Sequence, residues 1–221
     1  GEFFTLTGEQ LTWLLIGYGF IASVLPVWLL LAPRDYLSTF LKIGTIVGLA
    51  IGVVIVSPEL KMPALTQFID GSGPVWSGDL FPFLFVTIAC GAISGFHSLI
   101  ASGTTPKMIQ NETDARFIGY GAMLMESFVA IMALVAAAAL EPGIYFAMNS
   151  PGAIIGTTAE SAAQTISQWG FYVTPEMINQ TAQNVGEHSI ISRTGGAPTL
   201  AVGMAQILSE VIGGTAMMAF W

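Results

Sequence analysis

CGAISGFHSLIASGTTPK, from Cys90 to Lys107, runs at membrane-spanning length yet carries glycines, hydroxyls and a histidine where lipid favours leucine. Wound as a helix, it gathers Thr87, Cys90, Gly91, Ser94, His97, Ser98 and Ala101 on one face, while Phe85, Ile88, Phe96 and Ile100 take the other. A small, hydroxylated stripe admits a close neighbouring helix, or it can be wetted by water and solute. His97 lies on that stripe, and an imidazole exchanges its proton near neutral pH; it serves either as a proton carrier or as a structural hydrogen-bonding group. Beyond the stripe, Ser102-Gly103-Thr104-Thr105-Pro106 is expected to stop or unwind the helix and free backbone groups for coordination, the alternative being a plain surface loop. Ser94, Gly95, Ser98, Ser102, Gly103, Thr104 and Thr105 are therefore the candidate substrate or ion contacts.

Two carboxylates join His97 as candidate proton carriers. Glu126 sits within GYGAMLMESFVAIMALVAAAA, and an acid at mid-membrane costs about 2.5–3.5 kcal/mol on insertion scales, so it is expected to face a bundle interior. Gly119, Ala122, Ala130, Ala133 and Ala137 share its face and make a small-residue seam; a neutral, hydrogen-bonded acid is the structural alternative. Glu210 repeats the pattern more weakly, beside Gly203, Gln206, Gly213 and Met217.

The elements that must position these groups are membrane helices. The chain has 221 residues, 53% hydrophobic and 9% charged, with mean hydropathy +0.72; such a chain carries more apolar surface than its own interior can hold. About 20 residues cross a roughly 30 Å hydrocarbon layer, which places spans at 11–32, 37–56, 81–102, 117–140 and 198–220. The fold class is all-α, a polytopic bundle of about five spans. Pro26 is expected to kink the first span, and breaker-plus-charge clusters at Pro33-Arg34-Asp35, Ser57-Pro58-Glu59, Pro106-Lys107 and Glu141-Pro142-Gly143 mark boundaries.

Arg34, Lys42, Lys107 and Arg116 cluster on the first and third connections, whereas Lys61 and Arg193 stand nearly alone on the second and fourth. The positive-inside rule then puts the N-terminus outside and the C-terminus inside, and makes the polar 141–197 segment an extracytoplasmic loop. Its length predicts a functional or separately folded unit, with Trp169, Phe171 and Tyr172 suited to a packed cap. Arg116, at a span end, serves as a cytoplasmic anchor or meets a substrate carboxylate.

A net charge of −8 argues against a nucleic-acid partner. No phosphate loop, metal-ligand cluster or cofactor motif is present in the sequence, and one cysteine excludes an internal disulfide. An intramembrane protease needs a serine, paired aspartates or metal-binding histidines in defined places; Asp35, Asp70, Asp79 and Asp114 fall in predicted connections. Movement of a solute is favoured over enzyme chemistry. A channel, or a nutrient sensor or receptor subunit, is the alternative.

APRDYLSTFLKIG, PELKMPALTQFIDGSGPVWSGDLFPFLFVTIACGAISGFHSLIASGTTPKMI, NETDARFIGYGAMLMESFVAIMALVAA and RTGGAPTLAVGMA resemble segments of the carbon starvation protein A family of bacterial inner-membrane transporters. The resemblance runs from about Leu11 to Ala205 and is weakest between Pro151 and Ser167, where this sequence is shorter than the family pattern. It implies a multi-pass inner-membrane protein that imports peptides or pyruvate under nutrient limitation, the latter by proton symport. It further implies a larger fold of the amino acid transporter type, in which inverted repeats place substrate at broken helices, so that this chain is expected to be an internal portion. The partners implied are the solute, protons, the lipid bilayer and the remaining transmembrane segments of the full-length protein; no cofactor is implied.

Overall fold

The computed structural model describes residues 6–26, 29, 31–79, 81–82, 85, 88, 102–103 and 105–212. Among the described residues every regular element is helical. The chain divides into two compact units, Gly1–Thr45 and Ile46–Trp221.

In the first unit, α1 (Gly8–Val24) starts at a capping box: the Gln10 N–H donates to the Thr7 hydroxyl at 3.4 Å, and the Thr7 N–H donates to the Gln10 amide oxygen at 3.0 Å. The helix stops at Val24, with Leu25 extended. The expected span through Pro26 to residue 32 is thus broken rather than kinked, because proline's ring clashes with a continuing turn before it. The next helix, α2 (Leu31–Val56), takes Pro33 and Arg34 into its first turn and Asp35 directly after it. These residues were expected to lie between spans, but proline is tolerated where no intrahelical donor is needed. Arg34 donates to the Tyr18 hydroxyl at 3.0 Å and pairs with Asp35 at 2.9 Å.

Two of the described helices are long and apolar enough to cross a membrane, Ala32–Val56 and Asp114–Ala139. The second is α4 (Asp114–Ala139), which follows a short α3 (Thr105–Met108). Four short helices come next, α5 (Pro142–Asn149), α6 (Gly152–Ile155), α7 (Ala159–Gln168) and α8 (Pro175–Asn184), and then α9 (Gly196–Ile212). Residues 213–220 of the expected last span lie outside the described residues, as does most of 81–102.

In the second unit, α9 crosses α4 where a Cβ on Gly203 would collide with the Ala136 carbonyl, so glycine is what lets the backbones touch. Leu49 of α2, Ala136, Ala139 and Ile207 are buried together at this crossing. Of the seam expected through Gly119, Ala122, Glu126, Ala130, Ala133 and Ala137, the first four are exposed and Ala133 and Ala137 are half-buried; the buried positions are Ala136 and Ala139.

Most of the larger core lies in the 141–197 segment, and Leu140, Val202 and Ala205 complete it. Ile144, Phe146 and Met148 of α5 pack with Ile155, Ile166, Val173, Ile178, Val185 and Ile190. Threonines cap the two longer of these short helices: the Ser161 N–H donates to the Thr158 hydroxyl and the Met177 N–H to the Thr174 hydroxyl, satisfying donors that a helix start leaves open. Alternation of small and branched apolar residues on one face of α7, Ala159, Ala162, Ala163 and Ile166, gives each short helix a side to bury.

Candidate functional site

Residues 57–79 form a strap that crosses the end of α4. The backbone N–H groups of Lys61 and Met62 both donate to the Ala138 carbonyl, at 2.8 and 3.1 Å, supplying partners that a helix C-terminus lacks. Lys61 Nζ lies 2.7 Å from a Glu141 carboxylate oxygen, and the Gln67 amide donates to the Trp169 carbonyl at 3.0 Å. Phe68, in a short 3-10 turn (Gln67–Asp70), stands edge-on to Phe146 and Trp169 at centroid distances of 5.6 and 5.9 Å. Phe146 and Phe171 stack obliquely at 4.6 Å. The strap is therefore anchored to the helical cap by an aromatic cluster whose offset and edge-on arrangements suit the ring quadrupoles.

The strap ends in a closed loop. Gly71 adopts φ +87°, a conformation that L side chains rarely take, and a Cβ there would lie 2.8 Å from the Gly78 carbonyl carbon and 3.1 Å from the Asp79 carboxylate. The Gly78 N–H donates to the Gly71 carbonyl at 3.3 Å. Asp70 accepts from the Ser72 hydroxyl and N–H, at 2.6 and 3.1 Å; these hydrogen bonds hold its carboxyl below the usual range.

Two cavities flank the Val75–Trp76 segment. One, of about 440 Å³, lies between the strap, α4 and α5, lined by Met62, Phe68, Asp79, Leu134 and Tyr145 among others. The other, of about 710 Å³, is walled by Ala133 and Ala137 of α4, Tyr145 and Asn149 of α5, and the start of α9 at Gly195, Gly196 and Thr199. Burial raises the Tyr145 phenol pKa above its ordinary value of 10.0.

Asn149, 8% exposed, joins α5 to α9. Its amide donates to the Tyr145 carbonyl at 3.1 Å and to the Thr199 hydroxyl at 2.9 Å, and its oxygen accepts from the Gly195 N–H at 3.1 Å. The Thr199 hydroxyl in turn donates to the Gly195 carbonyl at 2.9 Å. Both side chains are fully used, so they fix the wall of the larger cavity. Below them Ser192, at φ +54°, donates from its hydroxyl to the Ser150 carbonyl at 2.9 Å.

The candidates named from the sequence are distributed differently. His97, Ser94, Gly95, Ser98 and Thr104 lie outside the described residues. Ser102 and Gly103 have helical backbone, and Thr105 opens α3 with Pro106 in second position; proline here begins a short helix instead of ending one. Glu126 is exposed on α4 and Glu210 is exposed near the end of α9, and among the described residues neither has a hydrogen-bond or ion-pair partner. Arg116 lies over the Tyr120 ring at 6.0 Å, as suits a guanidinium at a helix end. Among the described residues no three His, Cys, Asp or Glu side chains converge on a metal position.

Asn149, Tyr145 and Thr199 are not among the candidates named from the sequence, and Asp79 enters there only as an acid in a connection. A signal existed for one of them: TGGAPT, with glycines before a proline and a threonine, is the composition of a helix start.

The family model described as carbon starvation protein CstA matches residues 1–221. The chain is 69% identical to the peptide transporter CstA of Escherichia coli strain K12, over 99% of this chain and 32% of that protein. It is 59% identical to the pyruvate/proton symporter BtsT of the same strain, over 100% of the chain and 34% of that protein, and 46% identical to the peptide transporter CstA of Bacillus subtilis strain 168, over 95% and 33%. It thus spans about a third of the length of the curated relatives it matches. No solved structure matches it significantly. With a family model matched from the first residue to the last and relatives of this identity named as transporters, the chain belongs to the carbon starvation protein CstA family.

Proposed function

We propose that the chain is part of a secondary active transporter of the bacterial inner membrane, importing peptides, pyruvate or both by proton symport when preferred nutrients run out. The observation that carries this reading is the full-length match to the family, together with 59% identity to a relative named as a pyruvate/proton symporter and 69% to one named as a peptide transporter. A carboxylate midway along a helix apolar enough to cross a membrane, Glu126 on α4, is costly in lipid and belongs where solute, water or further protein meets it. His97 and Glu126 carry the proton, with Glu210 as a third candidate. Ser94, Gly95, Ser98, Ser102, Gly103, Thr104 and Thr105 contact solute or ion.

Protonation of Glu126 or His97 stabilises the solute-loaded state, and release inside resets the carrier. A ligand shifts such an equilibrium only by its differential affinity for the two states. The strap and cap lie on one side of the membrane, outside, as the sparse basic residues of the second and fourth connections indicate. Their mutual packing through Lys61–Glu141 and Gln67–Trp169 supports a common side.

The reading is tested by uptake of labelled pyruvate and of a labelled dipeptide into proteoliposomes holding a full-length family member that carries this chain, with and without an uncoupler. Saturable uptake of one solute that the uncoupler abolishes is expected. Binding without uptake would convert the reading to a nutrient sensor, and unsaturable flux to a channel.

A further inference from the structure

The 440 Å³ cavity under the strap lies within the roughly 300–1,000 Å³ of small-molecule sites, and its chemistry is lopsided. Its walls are apolar and aromatic, from Met62, Phe68, Leu134 and Tyr145, and among the described residues Asp79 is the one carboxylate that lines it. Asp79 is exposed and has no ion-pair partner among the described residues. Lys61, on the same strap, is engaged with Glu141. Gly71 and Gly78 close the loop that holds Asp79, and a side chain at Gly71 would run into its carboxylate. An apolar chamber whose described lining carries one negative charge complements a cation joined to an apolar group, and it repels a small anion.

We propose that this cavity receives the amino-terminal residue of a short peptide, with the apolar side chain among the aromatic rings and the α-ammonium on the Asp79 carboxylate. Val75, Trp76, Ala137 and Tyr145 line this cavity and the 710 Å³ cavity alike, so the rest of the peptide continues past Trp76 into the larger space. A free amino acid fits less well, because its carboxylate is held beside its ammonium and is brought against Asp79. Pyruvate, an anion with no ammonium, does not use this site. The assignment rests on the transport reading only in taking peptides as the solute class, and it adds where the peptide first binds and which end is read.

Calorimetric binding to a purified full-length family member carrying this chain tests it, with Phe-Ala, Gly-Ala, N-acetyl-Phe-Ala and pyruvate as probes. Phe-Ala is expected to bind about tenfold more tightly than Gly-Ala or the acetylated peptide, a difference of the size expected for one charge-assisted hydrogen bond or one buried side chain. Pyruvate is expected not to compete. Asp79→Asn should lose about tenfold for Phe-Ala and nothing for N-acetyl-Phe-Ala, and Asp79→Glu should restore most of the loss. The comparison of free and acetylated peptide on the unaltered protein needs no variant to fold. Equal binding of the two, or unchanged Phe-Ala binding in Asp79→Asn, overturns the site. Parallel uptake separates the two readings: peptide uptake with Asp79-independent binding overturns the site and leaves transport standing. Asp79-dependent binding without uptake supports the site and overturns transport.

Discussion

Asn149 shows how much one buried amide does in this chain. It satisfies a helix carbonyl, a loop N–H and a hydroxyl at once, and each partner is left short if it is removed. Asn149→Ala is expected to cost about 2–3 kcal/mol, the penalty of leaving buried polar groups unpaired, read as a fall in the thermal unfolding midpoint of the detergent-solubilised full-length protein. Thr199→Val should cost less, since it frees one donor and one acceptor. Lys61→Ala is expected to matter little: about a third of each partner is exposed in the Lys61–Glu141 pair, and such pairs contribute about 0–1 kcal/mol. Tyr145 gives a pH dependence of fixed sign. Its phenol ionises at a higher pH in the folded protein than in the unfolded chain. The associated stability is therefore intact below the ordinary value of 10.0 and is lost as pH rises through the folded one. Tyr145→Phe should flatten the alkaline branch of a stability-against-pH curve, while a branch of unchanged slope would assign it to other groups.

Helix boundaries show which signals in the sequence were strong and which were not. Ser57-Pro58 and Glu141-Pro142 end α2 and α4 where composition put them, because breaker and charge there coincide with the end of an apolar run. Pro33-Arg34-Asp35 carries the same signal yet falls at the start of a helix, where proline is admissible because no intrahelical donor is needed. Periodicity located the small-residue face of α4 but not the part of it that packs. The crossing falls at Ala136, where Gly203 arrives, and which of several small residues meets a neighbour is decided by a helix some 60 residues away in the chain. Gly203→Val is expected to drive α4 and α9 apart at a cost of about 1–3 kcal/mol or more. Disulfide trapping of a cysteine pair at the crossing would report the separation, and unaltered trapping would show that the helices meet elsewhere.

The chain combines apolar helices with a segment of short helices whose core α9 shares. Its family and helical class were legible in motif strings and hydropathy, because lipid imposes length and composition on every span. The cavities were not legible, since the strap and the cap come from segments about 80 residues apart and their walls are made of ordinary apolar side chains. Asp79, read from the sequence as one acid in a connection, takes on meaning only beside Phe68 and Tyr145. The proposed proton coupling rests on Glu126 of α4 and on His97, not on the strap and cap. Removal of the Asp79 charge should therefore change which peptide is taken up without changing the dependence on the proton gradient, as measured by uptake at several imposed pH differences. The most direct test of the central claim is to follow the lumenal pH of proteoliposomes with a trapped dye while solute is added to a full-length family member carrying this chain. Solute-dependent acidification that disappears in the Glu126→Gln, His97→Ala double variant is the predicted result; solute uptake without acidification, or acidification unchanged in that variant, would contradict it.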